Sequence, residues 1–91
     1  STIFLTSYFF ASSLQNLSRY GTHLKELKLV STNVLDVWLA ELLSKMTGLT
    51  SLDLSYSPRL TPLSIQAVHH FLPSIQNLVV DEQLSKDMYQ I

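Results

Sequence analysis

Aliphatic residues recur along the chain at a nearly constant spacing. Three segments match the arrangement L-x-x-L-x-L, with isoleucine or valine replacing some leucines: residues 24–29, 49–54 and 75–80. The interval from the first segment to the second is almost the same as that from the second to the third. A truncated copy, Ile3 and Leu5, precedes Leu27 and Leu29 by a similar interval. One copy could arise by chance in a leucine-rich helix, but three at this spacing indicate a repeated structural unit.

The second half of each segment alternates aliphatic and other residues with the period of a β-strand. One face of these strands is predicted to be core, and it comprises Leu27, Leu29, Leu52, Leu54, Leu78 and Val80. The residues between them must then point to the opposite face. Because strands and helices alternate along the chain, we expect about three to four parallel strands.

Apolar residues at helical spacing fill the intervals between the strands. Thr61-Pro62 predicts an N-cap and a first helical position, because proline loses no needed N–H there. The apolar positions of that helix are Leu63, Ile65, Val68, Phe71 and Leu72, and the helix is expected to stop before Pro73. The preceding helix carries an apolar stripe of Leu35, Leu39, Leu42, Leu43 and Met46, with Gly48 at its exit.

Weaker helical signals lie near both ends of the chain. Ser12 or Ser13 is predicted to cap a short helix that ends at Gly21. The apolar residues of that helix are Leu14 and Leu17. Ser85 is predicted to open a further helix. Trp38, at helical spacing to the apolar stripe, is expected to make a core or helix–helix contact, with anchoring of a partner as the alternative. Phe9-Phe10 is expected to pack the first turn against its neighbour.

These elements predict one α/β domain, residues 1–91, of about three and a half repeats. The units lie near residues 1–23, 24–48, 49–74 and 75–91. Parallel strands would line a concave face, with helices on the convex face. A repeat array needs polar caps, and Ile3-Phe4-Leu5 is not one. The chain is therefore expected to belong to a longer chain or complex, and to self-associate when it is isolated.

Residues 49–80 resemble the cysteine-containing subclass of leucine-rich repeats. Residues 52–61 are similar to its strand and turn, and residues 72–75 are similar to its helix exit. The subclass cysteine would fall at Thr32, Ser57 and Gln83, where hydroxyl groups at the first two can still bond the turn backbone. The resemblance implies a solenoid, and it extends over nearly the whole chain. Proteins of this subclass are often substrate receptors of ubiquitin ligases, including F-box proteins, although no F-box is visible here.

Composition narrows the function classes. The chain is 46% hydrophobic and 14% charged, with a formal net charge of -1, so it has no electrostatic footprint for nucleic acid or an anionic membrane. No apolar run approaches the roughly 18 residues of a membrane span. Cysteine is absent, which excludes disulfides, thiolate nucleophiles and cysteine-ligated zinc. A small domain without disulfides suits a reducing compartment, the cytoplasm or nucleus.

Candidate catalytic groups do not form a known constellation. His69 and His70 are adjacent on a helix and point about 100° apart, so they cannot share a metal ion. One is expected to be partly buried and the other exposed. Asp81-Glu82 is expected to be a solvated strand end. With no glycine-rich phosphate loop or nucleophile elbow, we expect no enzyme, no cofactor and no metal site.

The accessible strand face is the remaining candidate for function. The predicted partner-binding residues are Lys25, Glu26, Lys28, Asp53, Tyr56 and Glu82. Lys28 and Asp53 fall in one lateral row and could pair, and Tyr56 falls in a row with Ser31 and Glu82. Such a mixed polar surface with a central tyrosine suits protein recognition. The alternative is a solvated sheet face, with the binding site elsewhere on a longer array.

Three classes of function remain open. The leading hypothesis is a protein-protein interaction scaffold, with the substrate-recognition part of a ubiquitin ligase as one form. The second is a structural or assembly subunit held within a larger complex. The third is an enzyme of unrecognised type, which the absence of a catalytic constellation disfavours.

Overall fold

The structure, a computed structural model, describes residues 2–7 and 16–88. Its described part contains one parallel sheet, whose strands are adjacent in chain order: β1 (Thr2–Ser7), β2 (Glu26–Thr32), β3 (Ser51–Asp53) and β4 (Asn77–Val79). Helices α1 (Asp36–Leu43), α2 (Pro62–Phe71) and α3 (Glu82–Met88) follow β2, β3 and β4 in turn. The predicted α/β class and the parallel strands are confirmed.

The spacing of the sequence repeat sets the register of the sheet. Ile3 pairs with Leu27, Leu27 with Leu52, and Leu52 with Leu78. The intervals between repeat units in the sequence are therefore the offsets between paired strand positions. Because side chains alternate at period two, this register puts Ile3, Leu27, Leu52 and Leu78 on one face.

The predicted core residues are buried in the middle of the sheet and less so at its edge. Leu27, Leu29, Leu52 and Leu54 are at most 1% exposed. Leu78 and Val80 were also predicted to be core, but they are only partly buried and pack against it. The reason is position: β4 is an edge strand of the described sheet, so Leu78 has a strand neighbour on one side only.

Helices α1 and α2 pack side by side and join the leucine face in one core. The predicted stripe of α1 is confirmed at Leu39, Leu42 and Leu43, which are buried, and Trp38 packs against the core as expected. The first helix residue of α2 is Pro62, with Thr61 as its N-cap, and the helix ends at Phe71, shortly before Pro73. Both of these boundaries were predicted.

Leu63 was expected in the apolar stripe of α2, but it is 61% exposed. Each helical residue turns by about 100°, which puts Leu63 roughly 140° from Val68 around the helix axis. Val68 and Ile65 face the core and are buried, so Leu63 faces away from it. The apolar identity of Leu63 suggested core, whereas its angular position places it on the outer face.

The short helix at the other end of the chain begins earlier than predicted. Ser85 was expected to open it, but α3 starts at Glu82. The Ser85 backbone N–H already donates to the Asp81 carbonyl oxygen at 2.9 Å, the i to i−4 bond of an α-helix. Acidic residues in the first turn favour this start, because the N-terminal end of a helix is partially positive.

In the first unit, the described residues form a 3-10 stretch, Ser18–His23, which precedes β2. Gly21, predicted to end the short helix, interrupts this stretch with a φ of 54° and a ψ of -138°, a kink that glycine adopts more readily than any residue with a Cβ. Leu17 is 8% exposed and belongs to the core. The predictions on Phe9-Phe10, Ser12, Ser13 and Leu14 lie outside the described residues.

Two buried hydroxyl groups link the strand ends of neighbouring units. Thr32 Oγ1 and Ser57 Oγ lie 3.1 Å apart, and both residues are 3% exposed. Ser57 donates its only hydroxyl proton to the Leu29 carbonyl oxygen at 2.9 Å, so Thr32 must be the donor between the two hydroxyls. Thr32 also accepts from the Val34 N–H at 3.5 Å. The expectation that these hydroxyls bond the turn backbone is confirmed for Thr32, whereas Ser57 bonds the backbone of strand β2 in the preceding unit. The Gln83 side chain lies outside the described residues.

A second link joins the helix N-termini. The Asp36 carboxylate accepts from the Thr61 backbone N–H at 2.9 Å and from the Thr61 hydroxyl. The Thr61 hydroxyl oxygen in turn accepts from the Leu63 N–H at 3.2 Å, which is the N-cap bond of α2. Asp36 therefore holds the capping residue of the next helix in place.

Replacing Asp36 by alanine is expected to lower the free energy of unfolding by about 0.5–2 kcal/mol, the range for loss of a helix cap. The substitution leaves Thr61 without the acceptor for its N–H. Urea denaturation of the two proteins measures the difference. Glu41→Ala is the matched control, because Glu41 is an exposed carboxylate on the same helix, and it should cost less. Equal losses for the two variants would refute the role given to Asp36.

Candidate functional site

One row of side chains crosses the accessible face of the sheet from β1 to β4. Phe4 pairs with Lys28, Lys28 with Asp53, and Asp53 with Val79. The two outer residues, Phe4 and Val79, are apolar yet 57% and 47% exposed. The central Lys28 and Asp53 are half-buried. The predicted lateral row is thus present, and it has an apolar side chain at each end.

Lys28 and Asp53 are neighbours in this row but do not form the predicted ion pair. Among the described residues, the ion pairs are Lys45–Glu41 and Lys86–Glu82. Asp53 Oδ1 accepts from the Ser55 N–H at 2.9 Å and from the Ser55 hydroxyl. The carboxylate therefore closes the turn that follows β3, because a short side chain reaches the backbone two residues on more readily than it reaches the next strand.

Glu26 and Lys25 lie at the start of β2. Glu26 is on the accessible face, where one carboxylate oxygen accepts from the Thr2 hydroxyl at 3.1 Å. Lys25 precedes the strand, and its Nζ lies 3.5 Å from the Gly48 carbonyl oxygen. Lys25 is therefore an exposed cation at the edge of the surface and not part of the central row.

Tyr56 lies just beyond the end of β3 in an uncommon backbone conformation. Its φ is 56°, and its side chain is 72% exposed. Its backbone N–H donates to the Asp81 carboxylate. Ser31, the equivalent residue of the preceding unit, has a φ of 57°, and its N–H donates to the Ser55 carbonyl oxygen at 2.8 Å. The left-handed turn is therefore a repeated feature of the strand ends.

Tyr56 lines two open depressions. One has a volume of about 230 Å³ and is lined by Ser31, Thr32, Asn33, Tyr56, Pro58 and Arg59. The other has a volume of about 540 Å³ and is lined by Ser55, Tyr56, Val79, Val80, Asp81 and Glu82. We call the second one the Tyr56–Glu82 depression.

Glu82 was predicted to lie in a strand row with Tyr56, and the structure gives it another position. It is the first residue of α3, and its Oε1 lies 3.2 Å from Lys86 Nζ, one helical turn later. It still approaches Tyr56, because both residues line the same depression. The predicted row extended the strand register to Glu82, but the register ends at Val79, before the chain enters α3.

Known protein families, curated proteins and solved structures gave no match to this chain. The interpretation of the surface therefore depends on its own geometry. Within the described residues, no group of three or more histidine, cysteine or acidic side chains could hold a metal ion. In that same part of the chain, no helix is both long and apolar enough to cross a membrane.

The histidine pair on α2 differs from its prediction. His69 and His70 are both exposed, whereas one was expected to be partly buried. The buried stripe of α2 uses Ile65 and Val68, so neither histidine faces the core. The His70 ring makes an edge contact with Phe71, with centroids 4.6 Å apart.

Two residues of the site were missed in the sequence. Asp81 was interpreted as a solvated strand end, but its carboxylate accepts from the Tyr56 N–H. The sequence did contain a signal for this contact. Tyr56 and Asp81 are as far apart along the chain as Asp36 and Thr61, which also form a hydrogen bond between neighbouring units. Arg59 lines the first depression together with Tyr56 and is absent from the lining of the second.

Proposed function

We propose that this chain is part of a leucine-rich-repeat solenoid that binds a protein partner through the accessible face of its sheet. The repeated strand–helix order and the register offsets support the repeat architecture. The buried hydroxyls of Thr32 and Ser57 support it further, since they occupy the places of the subclass cysteine and bond the backbone there. One form of this function, by analogy with the repeat type, is the substrate receptor of a ubiquitin ligase.

The observation that carries the binding proposal is the backbone conformation of Tyr56 together with the exposure of its side chain. A left-handed conformation costs a residue with a Cβ roughly 1–2 kcal/mol. At 72% exposure the tyrosine ring recovers little of that cost by burial. Glycine or asparagine would satisfy the same turn at lower cost. A large, rigid side chain with one hydroxyl is instead the type of residue that is enriched at binding hot spots.

The proposed binding surface combines Tyr56 with the residues around it. Lys28 and Asp53 supply charges in the central row, and Phe4 and Val79 supply apolar contact at its ends. The predicted binding residues that lie at the margin are Lys25, Glu26 and Glu82. In this proposal the chain binds and does not catalyse. Turnover of a substrate by the chain would contradict it.

One observation favours the alternative of a structural subunit. Val37 on α1 and Leu63 on α2 are 71% and 61% exposed, and they occupy equivalent positions at the start of neighbouring helices. A permanent neighbour that covers the helices would explain two exposed aliphatic side chains there. In that case Leu63→Ala would disrupt assembly, and Tyr56→Ala would not.

Replacing Tyr56 by alanine is expected to weaken partner binding by about 1 kcal/mol or more, roughly fivefold in Kd, without unfolding the chain. Alanine and tyrosine carry the same left-handed cost, so the turn should persist. A partner recovered with the full-length protein is titrated against both forms by calorimetry, beside a thermal melt. Leu63→Ala, an exposed substitution on the helical side, should leave the affinity unchanged. Unchanged affinity of Tyr56→Ala would remove the sheet face as the binding site.

A further inference from the structure

The Tyr56–Glu82 depression has walls of two kinds. Tyr56 and Val79 supply exposed apolar surface, and the carboxylates of Asp81 and Glu82 add two formal negative charges. An apolar slot with anions along it fits a side chain that has a long aliphatic stem and a cationic head. Arginine and lysine are the two protein side chains with this construction.

Both carboxylates have acceptor capacity left over. Asp81 uses Oδ1 for the Tyr56 N–H, and Glu82 uses Oε1 for Lys86. A carboxylate can accept at both oxygens, so each of them can receive a further donor. The Lys86–Glu82 pair is itself exposed, with relative side-chain exposures of 65% and 84%, and pairs of this kind exchange partners at little cost.

The charge balance also favours a cation. The N-terminal end of α3 contributes at most about half a positive charge and Lys86 contributes one, against the two formal negative charges of Asp81 and Glu82, so the balance at the depression is still negative. Arg59 lines the other depression and is not among the residues that line the depression with the two carboxylates. Tyr56 adds the electron-rich face to which a guanidinium is attracted.

We propose that the Tyr56–Glu82 depression binds an arginine side chain of the partner protein. Its guanidinium would contact Glu82 and Asp81 beside the Tyr56 ring, and its stem would lie along Val79. Arginine fits better than lysine, because its planar guanidinium can both stack on the ring and bond a carboxylate. This inference rests on the proposed protein-binding function and adds the chemistry of the residue that is recognised.

The test uses a blocked pentapeptide, Gly-Gly-Arg-Gly-Gly, titrated into the isotopically labelled chain and followed by amide NMR. The matched peptide has citrulline in place of arginine, which keeps the shape and removes the charge. We expect saturable shifts at the amides of Tyr56, Val79 and Val80 with the arginine peptide. The citrulline peptide should bind at least about threefold more weakly. Added salt should weaken the arginine peptide more than the citrulline peptide.

Two carboxylate variants make the assignment specific. Glu82→Gln should weaken the arginine peptide by roughly two- to fivefold, the size expected of one exposed ion pair. Glu41→Gln is the matched control, since Glu41 forms the same kind of helical pair with Lys45. It should leave the affinity for the arginine peptide unchanged. Equal binding of the two peptides, or equal effects of the two variants, would overturn the proposal.

Failure of this proposal can be distinguished from failure of the proposed function. If the arginine peptide does not bind but Tyr56→Ala still weakens the partner, the sheet face is the binding surface and arginine is not what it recognises. If the peptide binds as expected and Tyr56→Ala leaves the partner affinity unchanged, the depression takes arginine but the partner does not use it, which also overturns the inference.

Discussion

Replacing Leu52 by alanine is expected to lower the free energy of unfolding by about 2–5 kcal/mol, the largest effect of any substitution considered for this chain. Leu52 is 0% exposed and lies in β3, where it pairs with Leu27 on one side and Leu78 on the other. Truncation removes buried apolar surface and leaves a cavity between two strands and the helices that cover them. Urea denaturation with a two-state fit measures the loss.

The matched control is Leu63→Ala, the same chemical change at a position that is 61% exposed. Little apolar surface is returned to water there, and alanine is the best helix former, so the change should be within about 0.5 kcal/mol of zero. A loss for Leu52→Ala no larger than that for Leu63→Ala would mean that the strand register is wrong.

Gly48→Ala is expected to cost about 1–3 kcal/mol through overpacking. A Cβ on Gly48 would overlap the carbonyl oxygen of Thr22 and lie 3.2 Å from its carbonyl carbon. Both are backbone atoms, so relief requires the chain itself to move. The expected loss opposes the general trend, because glycine to alanine usually stabilises a protein by about 0.4–1 kcal/mol through the unfolded state.

A substitution at a second glycine distinguishes the stability cost of steric overlap from the cost of backbone strain. Gly21 has a φ of 54° and a ψ of -138°, and a Cβ added there would meet nothing within 4 Å, so Gly21→Ala should cost only the backbone strain of a sparsely populated conformation, about 1–3 kcal/mol. Gly48, predicted at the exit of α1, does not have a positive φ, and what requires a glycine there is its close approach to Thr22. Both variants are compared by chemical denaturation. A Gly48→Ala protein as stable as the original would show that the contact is looser than described.

The sequence predicted the sheet well because one rule links spacing to register. Leucines repeated at a nearly constant interval come to lie side by side on one face when the strands are parallel and paired at that offset, as Leu27, Leu52 and Leu78 are. The extent of burial was less predictable. Whether Leu78 is core depends on what lies beyond β4, and the identity of the residue carries no information about that.

The details of the site depend on which nearby group each side chain bonds. The row from Phe4 to Val79 followed from the register, but the Asp53 carboxylate bonds Ser55 and not Lys28. The left-handed turn at Tyr56 could not be foreseen from residue type, because tyrosine rarely adopts it. Asp36 and Asp81 each accept a hydrogen bond from a residue of the neighbouring strand–helix unit. These contacts form only once the units lie side by side, so they follow from tertiary structure.

The buried contact between Thr32 and Ser57 also determines how the protein responds to oxidants. A thiol in that place could be oxidised or alkylated, and either change would force a larger polar group into a space where these residues are only 3% exposed. Hydroxyl groups undergo neither reaction. The link between the units is thus inert to peroxide and to thiol reagents, and Met46, fully buried in the core, is left as an oxidisable side chain there.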